Sequence, residues 1–113
     1  MTMTGSDDTG HVYRVDKFLV PEPAREEFLA RVRQTHEVLR TMPGFVRDLL
    51  LDQSSGPGEL NIVTVVEWES AACVEEAKTA VAALRSKSDF DPQAMFARLG
   101  IRADLGEYRR LVP

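Results

Sequence analysis

The sequence predicts an α+β protein with a ferredoxin-like fold, in which a four-stranded antiparallel sheet carries helices on one face. Extended and helical segments follow one another in the order β α β β α (α) β. A short loop rich in serine, glycine and proline joins the two middle strands, as in a hairpin. Helical crossovers connect the remaining strands, and this arrangement places the helices on the same side of the sheet.

The first strand and the first helix occupy residues 11–42. HVYRVDKFLV is rich in valine and aromatic residues, and it ends at Pro21, which cannot donate to a strand ladder. Pro23 suits a first helical turn, so we predict a helix over residues 24–42. Its apolar face lies within an arc of about 100° and is formed by Phe28, Leu29, Val32, His36 and Leu39. A histidine is therefore expected to face the sheet.

The hairpin follows this helix. Pro43 and Gly44 end the helix, and an extended run over residues 45–53 leads into the turn-forming sequence SSGPGE. LNIVTVVEW, residues 60–68, carries few charges on either side of its pleat. This pattern is typical of a central strand that is covered on both faces.

The last part of the chain predicts a long helix, a short helix and a final strand. Ser70 is a good N-cap for a helix over residues 71–87, in which apolar residues recur at helical spacing. An Asp-Pro pair begins a short helix over residues 92–99, and Gly100 ends it. LGEYRRLV then supplies the fourth strand.

Composition excludes several classes of partner. The 14 basic and 18 acidic side chains give a net charge of -4 with no long run of one sign, so we expect no nucleic-acid partner. No apolar stretch approaches the ~20 residues that span a bilayer, and no basic segment precedes an apolar one at the N-terminus, so we expect neither a membrane nor export. The lone Cys73 cannot form an intrachain disulfide, which favours the cytoplasm. Two widely separated histidines offer no metal site, and we expect no cofactor.

The length of 113 residues suits one domain, which we predict over residues 11–113 after a disordered leader at residues 1–10. Helices on one side leave the other face of the sheet bare. This bare face is expected to carry Val15, Leu19, Val63 and Val65. A second copy of the chain is the simplest cover, so we predict a homodimer formed sheet to sheet.

Several motifs occur together along this predicted fold: an extended VYRVDKF at the start, MPGF between the first helix and the hairpin, and EWES at the end of the third strand. With them, the sequence from about Val12 to Val112 resembles the antibiotic biosynthesis monooxygenase family of dimeric α+β barrels. The resemblance implies a ferredoxin-like protomer, a dimer, and a pocket between the sheet and its helices. Some members oxidise aromatic polyketides with molecular oxygen and without metal or flavin, and others degrade haem or autoinducer signals.

The resemblance carries over to part of a site. Polyketide-oxidising members place an asparagine four residues before the tryptophan of WES, whereas this chain has Thr64 at that position, on the same strand face as Trp68. The haem-degrading branch has an asparagine, a tryptophan and an axial histidine where this chain has Asp16, Ala77 and Lys87. Haem degradation is therefore disfavoured.

His36 and Asp16 are the predicted catalytic residues. A histidine on an apolar face has a pKa suited to removing a proton from a phenol or an activated C–H group. Asp16, on the first strand, is expected to orient the ring and raise its basicity. The structural alternatives are a buried imidazole held by a backbone carbonyl or a strand carboxylate, and a salt bridge from Asp16 to Arg14, Lys17 or Arg47.

The predicted substrate-binding residues are Arg14, Phe18, Thr64, Trp68 and Tyr108. The tryptophan would supply a flat wall for an aromatic ring, and the tyrosine a phenolic hydroxyl. Ordinary packing in the core or on a strand is the alternative for both, as it is for Tyr13. Cys73 is expected to pack without reacting.

Two functions fit these residues. The first is a cofactor-independent monooxygenase acting on a small aromatic or polyketide-like substrate, in which His36 generates a carbanion that reduces oxygen directly. The second is a non-catalytic dimeric domain of the same fold that binds a small molecule or serves as an accessory protein. Thr64 favours the second, because a fold does not by itself carry its relatives' chemistry.

Overall fold

The structure is a computed structural model and describes residues 10–111. The predicted leader lies outside this range except for Gly10, as do the last two residues of the predicted domain. The strands are β1 (Val12–Leu19), β2 (Phe45–Asp52), β3 (Ile62–Trp68) and β4 (Arg102–Arg109). The helices are α1 (Arg25–Leu39), α2 (Ala71–Ser86) and α3 (Pro92–Leu99), and a short 3-10 helix (Glu22–Ala24) precedes α1.

The strands form one antiparallel sheet in the order β2-β3-β1-β4, which confirms the predicted ferredoxin-like α+β fold. The predicted caps are also found: Ser70 accepts from the Cys73 amide at the start of α2, Asp91 accepts from the Gln93 amide at the start of α3, and Gly100 ends α3 in the left-handed conformation. Local side-chain chemistry therefore sets these helix ends.

Several element boundaries differ from the prediction, most clearly at the end of α1 and in β4. Helix α1 ends at Leu39 rather than residue 42, because the amides of Thr41 and Met42 bond to carbonyls three residues back and tighten the chain into turns. Strand β4 begins at Arg102 rather than residue 105, because it pairs with β1 as far as Leu19.

Strand register decides which side chains face the helices. Residues paired across an antiparallel ladder lie on the same face of a sheet. Thr64 pairs with both Asp16 and Leu50, and Trp68 pairs with Val12. The helix-facing side chains of the two central strands are therefore those of Val12, Arg14, Asp16, Phe18, Ile62, Thr64, Val66 and Trp68.

Two apolar clusters hold the helices on the sheet. In one, Phe28 of α1 lies 4.8 Å from Phe18 of β1, measured between ring centroids. In the other, Trp68 packs beside Val74 of α2 and lies edge-on to Phe45, with ring centroids 5.8 Å apart. The two clusters fix the distance between the helices and the sheet on either side of the candidate site.

Within residues 10–111, no helix covers the opposite face of the sheet. This face carries the predicted Val15, Leu19, Val63 and Val65 together with Leu49 and Leu51 of β2. The two leucines are 45% and 46% exposed. Glu67 lies on the same face, buried under His11, Tyr13 and Arg47, which all bond to its carboxylate. No helix between residues 10 and 111 has the length and apolar character to cross a membrane.

Candidate active site

A cavity of about 640 Å³ lies between the helix-facing side of the sheet and helices α1 and α2. Most of its wall is apolar and includes Phe28, Val32, Leu39, Val66, Trp68, Val74 and Val81. Polar groups converge inside it from Arg14, Asp16, Thr35, His36 and Thr64. A concave apolar site with a few polar groups is the usual form of a small-molecule pocket.

His36 lies on the inner face of α1 and is 7% exposed. Its Nδ1 is 3.2 Å from Oδ2 of Asp48 on β2. Arg40, one turn further along α1, donates from Nε to the same carboxylate oxygen at 2.9 Å. Asp48 therefore holds the imidazole by Nδ1, and Nε2 has no hydrogen bond to any residue in the range 10–111.

Burial of His36 favours the neutral form of its ring. Burial lowers the pKa of His36 below its ordinary value of 6.5, although the Asp48 carboxylate opposes the effect. Arg40 lowers this pKa further, and Asp16 raises it. A neutral, buried imidazole has a lone pair available to accept a proton.

Asp16 lies on the floor of the same cavity but is not the hydrogen-bond partner of His36. Its Oδ1 is 3.6 Å from an Arg14 terminal nitrogen, which is the salt bridge considered as an alternative above. That oxygen is buried and has no hydrogen-bond partner within residues 10–111. Burial raises the pKa of Asp16, and the Arg14 guanidinium opposes the rise. Asp16 therefore contributes a desolvated carboxylate to the wall of the cavity.

Four of the five predicted substrate-binding residues line the cavity: Arg14, Phe18, Thr64 and Trp68. Thr64 and Trp68 share one face of β3, as their spacing predicts. Tyr108 does not join them. It pairs with Tyr13 on the opposite face of the sheet, and Leu105 is the β4 residue that lines the cavity. The odd offset from Leu105 to Tyr108 places their side chains on opposite faces.

Asn61, Cys73 and Lys87 lie outside the cavity lining. Asn61 brackets the backbone of Val20, accepting from its amide at 2.9 Å and donating to its carbonyl at 3.0 Å. Cys73 is half-buried outside the cavity lining. Lys87, at the position of the family's axial histidine, is exposed and also outside the lining. In the part of the chain that is described, no three His, Cys, Asp or Glu side chains are placed to hold a metal ion.

Sequence reasoning missed Asp48 and the charged residues Arg31, Lys78 and Arg85, which also line this region. A β-bulge between Phe45 and Arg47 shifts the alternation of β2 by one residue. The sequence pattern therefore does not reveal which face of the sheet Asp48 lies on. The charged residues look like an ordinary solvated helix face in the sequence. Only the position of the helices over the sheet brings them to the cavity.

The model of a family described as antibiotic biosynthesis monooxygenase matches residues 12–87. SnoaB, a cofactor-independent oxygenase from Streptomyces nogalater, is 19% identical, with a TM-score of 0.63 over 92% of this chain and 96% of that one. The heme-degrader MhuD from Mycobacterium tuberculosis is 21% identical, with a TM-score of 0.66 over 90% and 97%. A conserved protein from Methanosarcina mazei Go1 is 15% identical, with a TM-score of 0.67 over 96% and 100%. No curated protein matches in sequence. At these identities the structural likeness shows the fold alone.

Proposed function

The chain belongs to the antibiotic biosynthesis monooxygenase family, and from this premise we propose that it is a cofactor-independent monooxygenase acting on a small aromatic or polyketide-like substrate. One observation carries the proposal. His36 is buried in the wall of an apolar cavity, its pKa lies below the ordinary value, and Asp48 holds one of its ring nitrogens. This combination supplies a base where a flat ring can bind.

Proton removal is the first step. Nε2 of His36 takes a proton from an activated methylene or phenol, and the nearby Asp48 carboxylate stabilises the imidazolium that forms. The Thr64 hydroxyl can donate to the developing oxyanion, and the Asp16 carboxylate in the cavity wall can accept from a substrate hydroxyl. The apolar walls exclude water from the anion.

Oxygen is the oxidant in the second step. The substrate carbanion passes one electron to O2, and the two radicals combine to a peroxide anion at that carbon. This anion takes the proton from His36 and becomes a hydroperoxide. Loss of water from the hydroperoxide leaves a carbonyl group. A methylene and O2 thus become a carbonyl and H2O, with one atom of oxygen retained in the product.

The proposal is tested by oxygen uptake under isotopically heavy O2, with a panel of anthrones and hydroxynaphthalenes as substrates. We expect enzyme-dependent uptake and one heavy oxygen atom in the product. The control uses ordinary O2 in water that is enriched in the heavy oxygen isotope. The product should carry no label there when it is analysed before its carbonyl oxygen exchanges with water. Ligand binding without uptake above the enzyme-free rate across the panel would contradict the proposal.

The alternative function is a small-molecule binder without oxygenase chemistry. The observation that favours it is Thr64, which has a hydroxyl where the polyketide-oxidising members have an amide. A hydroxyl cannot present the fixed donor and acceptor of an amide to a substrate carbonyl. The same oxygen-uptake experiment decides between the two functions.

We further propose that a second copy of the chain covers the bare face of the sheet. Leu49 and Leu51 lie on that face beside Val63 and Val65, and this exposed apolar surface supports the proposal. Leu49→Asp is expected to shift the protein from dimer to monomer in native mass spectrometry, because it places a charge in the buried interface.

The matched control is Leu84→Asp on α2. Leu84 is 50% exposed, close to the 45% of Leu49, but lies on the other side of the molecule. We expect this variant to remain dimeric. A monomeric wild-type protein, or equal dissociation of both variants, would rule out this interface.

A further inference from the structure

Cationic side chains outnumber carboxylates in the wall of the cavity. The permanent cations in the lining are Arg14, Arg31, Lys78 and Arg85. The carboxylates in the lining are Asp16 and Asp91. The whole chain has a net charge of -4, so the positive excess is a local property of the cavity. Local charge of this kind attracts ligands of the opposite sign.

The cations of helices α1 and α2 lie at the opening of the cavity. Arg31, Lys78 and Arg85 are exposed to solvent and also line the cavity, and we call these three residues the basic rim. Lys78 is paired with Glu75 of its own helix at 3.2 Å. The guanidinium of Arg85 has no hydrogen bond or ion pair to any residue in the range 10–111. The rim therefore retains positive charge available to a ligand.

Arg31 is held in place by an aromatic ring. Its guanidinium carbon lies 3.9 Å from the ring centroid of Phe90, and its NH1 donates to Gln34 at 3.2 Å. Phe90 lines the same cavity. Stacking limits the motion of the guanidinium, so less conformational entropy is lost when it binds an anion.

The carboxylates of the lining do not neutralise the rim. The Asp91 side chain accepts from the Gln93 amide as the N-cap of α3. Asp16 lies beside Arg14, deeper in the cavity. Glu27 of α1 lies outside the lining and is bound by Arg98. Its negative charge therefore offsets the positive charge of Arg31 only in part.

We propose that the cavity selects an aromatic ligand that bears a carboxylate, with its rings between the apolar walls and its carboxylate between Arg31 and Arg85. The planar guanidinium group suits a carboxylate because it can donate two parallel hydrogen bonds. Trp68 and Phe28 lie in the inner wall, where they can contact the rings. This inference rests on the proposed function in taking the cavity as the substrate site.

The test compares an anionic probe with a neutral one of the same shape. The probes are anthraquinone-2-carboxylate and anthraquinone-2-carboxamide, and quenching of Trp68 reports binding because this residue is the only tryptophan of the chain and lines the cavity. We expect the carboxylate to bind about tenfold more tightly than the carboxamide, which is the effect of two partly exposed charge contacts. The preference should fall with added salt.

The double variant Arg31→Gln/Arg85→Gln is expected to remove this preference and to leave carboxamide binding within about twofold. The matched control is Arg33→Gln/Lys87→Gln, which makes the same change in net charge at exposed residues outside the lining. The control should keep the preference. Equal affinities for the two probes in the wild-type protein, equal loss in both double variants, or no binding of either probe would overturn the inference.

The outcome is separable from that of the oxygenase proposal. Oxygen uptake without a preference for the carboxylate would overturn the anionic-ligand inference alone. A preference for the carboxylate without uptake would overturn the oxygenase proposal alone, since binding is measured without turnover.

Discussion

Replacing His36 with alanine is expected to lower kcat/KM for oxygen uptake by about 10²- to 10⁴-fold, the usual contribution of a positioned general base. The ring is the proposed base and burial favours its neutral form, and no second histidine can replace it, because His11 lies on the opposite face against Glu67. The removed ring leaves space beside the substrate. Imidazole added to the His36→Ala variant should therefore restore part of the rate, which a purely structural role would not allow.

The pH profile provides a second readout of the same role. The rate should rise with pH and level off once His36 is deprotonated, with a midpoint below 6.5 because burial lowers the pKa of this residue. Asp48 and Asp16 raise this pKa, and Arg40 lowers it. Asp48→Asn removes a charge that raises the pKa, so the midpoint should move to lower pH.

Asp48→Asn is also expected to reduce the plateau rate by roughly 10- to 100-fold, the usual cost of losing a group that orients a functional histidine. Asp52→Asn is the matched control, since it lies on the same strand, pairs with Arg25 and does not line the cavity. It should leave rate and midpoint unchanged. If the Asp48 variant kept the wild-type midpoint, or if imidazole failed to rescue His36→Ala while folding was intact, the assignment of the base would be wrong.

Local patterns predicted the fold because each element is set by its own residues. The run of few charges in β3 predicted a central strand, and β3 lies between β1 and β2. Caps and turn formers predicted the helix ends at Ser70, Asp91 and Gly100. The periodicity of α1 placed His36 on its buried face, where the structure has it.

The site was harder to predict because it depends on register. The side chain that holds His36 belongs to Asp48, three residues after Phe45, and strict alternation would place the two on opposite faces of β2. The β-bulge restores them to one face. Asp16 was paired with His36 from its position on the first strand, and the strand face of Tyr108 could not be fixed from the sequence. Asp16 lines the cavity beside Arg14 and not against the imidazole, and Tyr108 lies on the other face.

Gly44→Ala is expected to lower the free energy of unfolding by about 2–4 kcal/mol, the sum of a left-handed backbone and an overpacked contact. Gly44 has a φ of 82°, which L side chains rarely adopt. A Cβ added there would lie 2.6 Å from Cβ of Cys73 and closer still to its Sγ. Urea unfolding followed by the fluorescence of Trp68 measures the change.

Gly56→Ala is the matched control for the backbone cost. Its φ of 112° is also positive, but the nearest atom to an added Cβ is Nε2 of Gln53 at 3.7 Å. This variant should cost about 1–2 kcal/mol, because only the backbone conformation is strained. Equal costs for the two variants would show that Cys73 moves aside freely.

The same position explains why two distant motifs occur together. The carbonyl of Gly44, in MPGF, accepts a hydrogen bond from the amide of Glu69, in EWES, at 2.8 Å. The following Phe45 lies edge-on to Trp68 of the second motif. The hydrogen bond of Gly44 thus joins the start of β2 to the junction of β3 and α2. This junction positions Trp68 in the cavity wall. Oxygen uptake by Gly44→Ala should therefore fall by more than its loss of folded protein explains, because the position of Trp68 in the cavity wall also changes. Uptake by Gly56→Ala should fall only in proportion to its loss of folded protein.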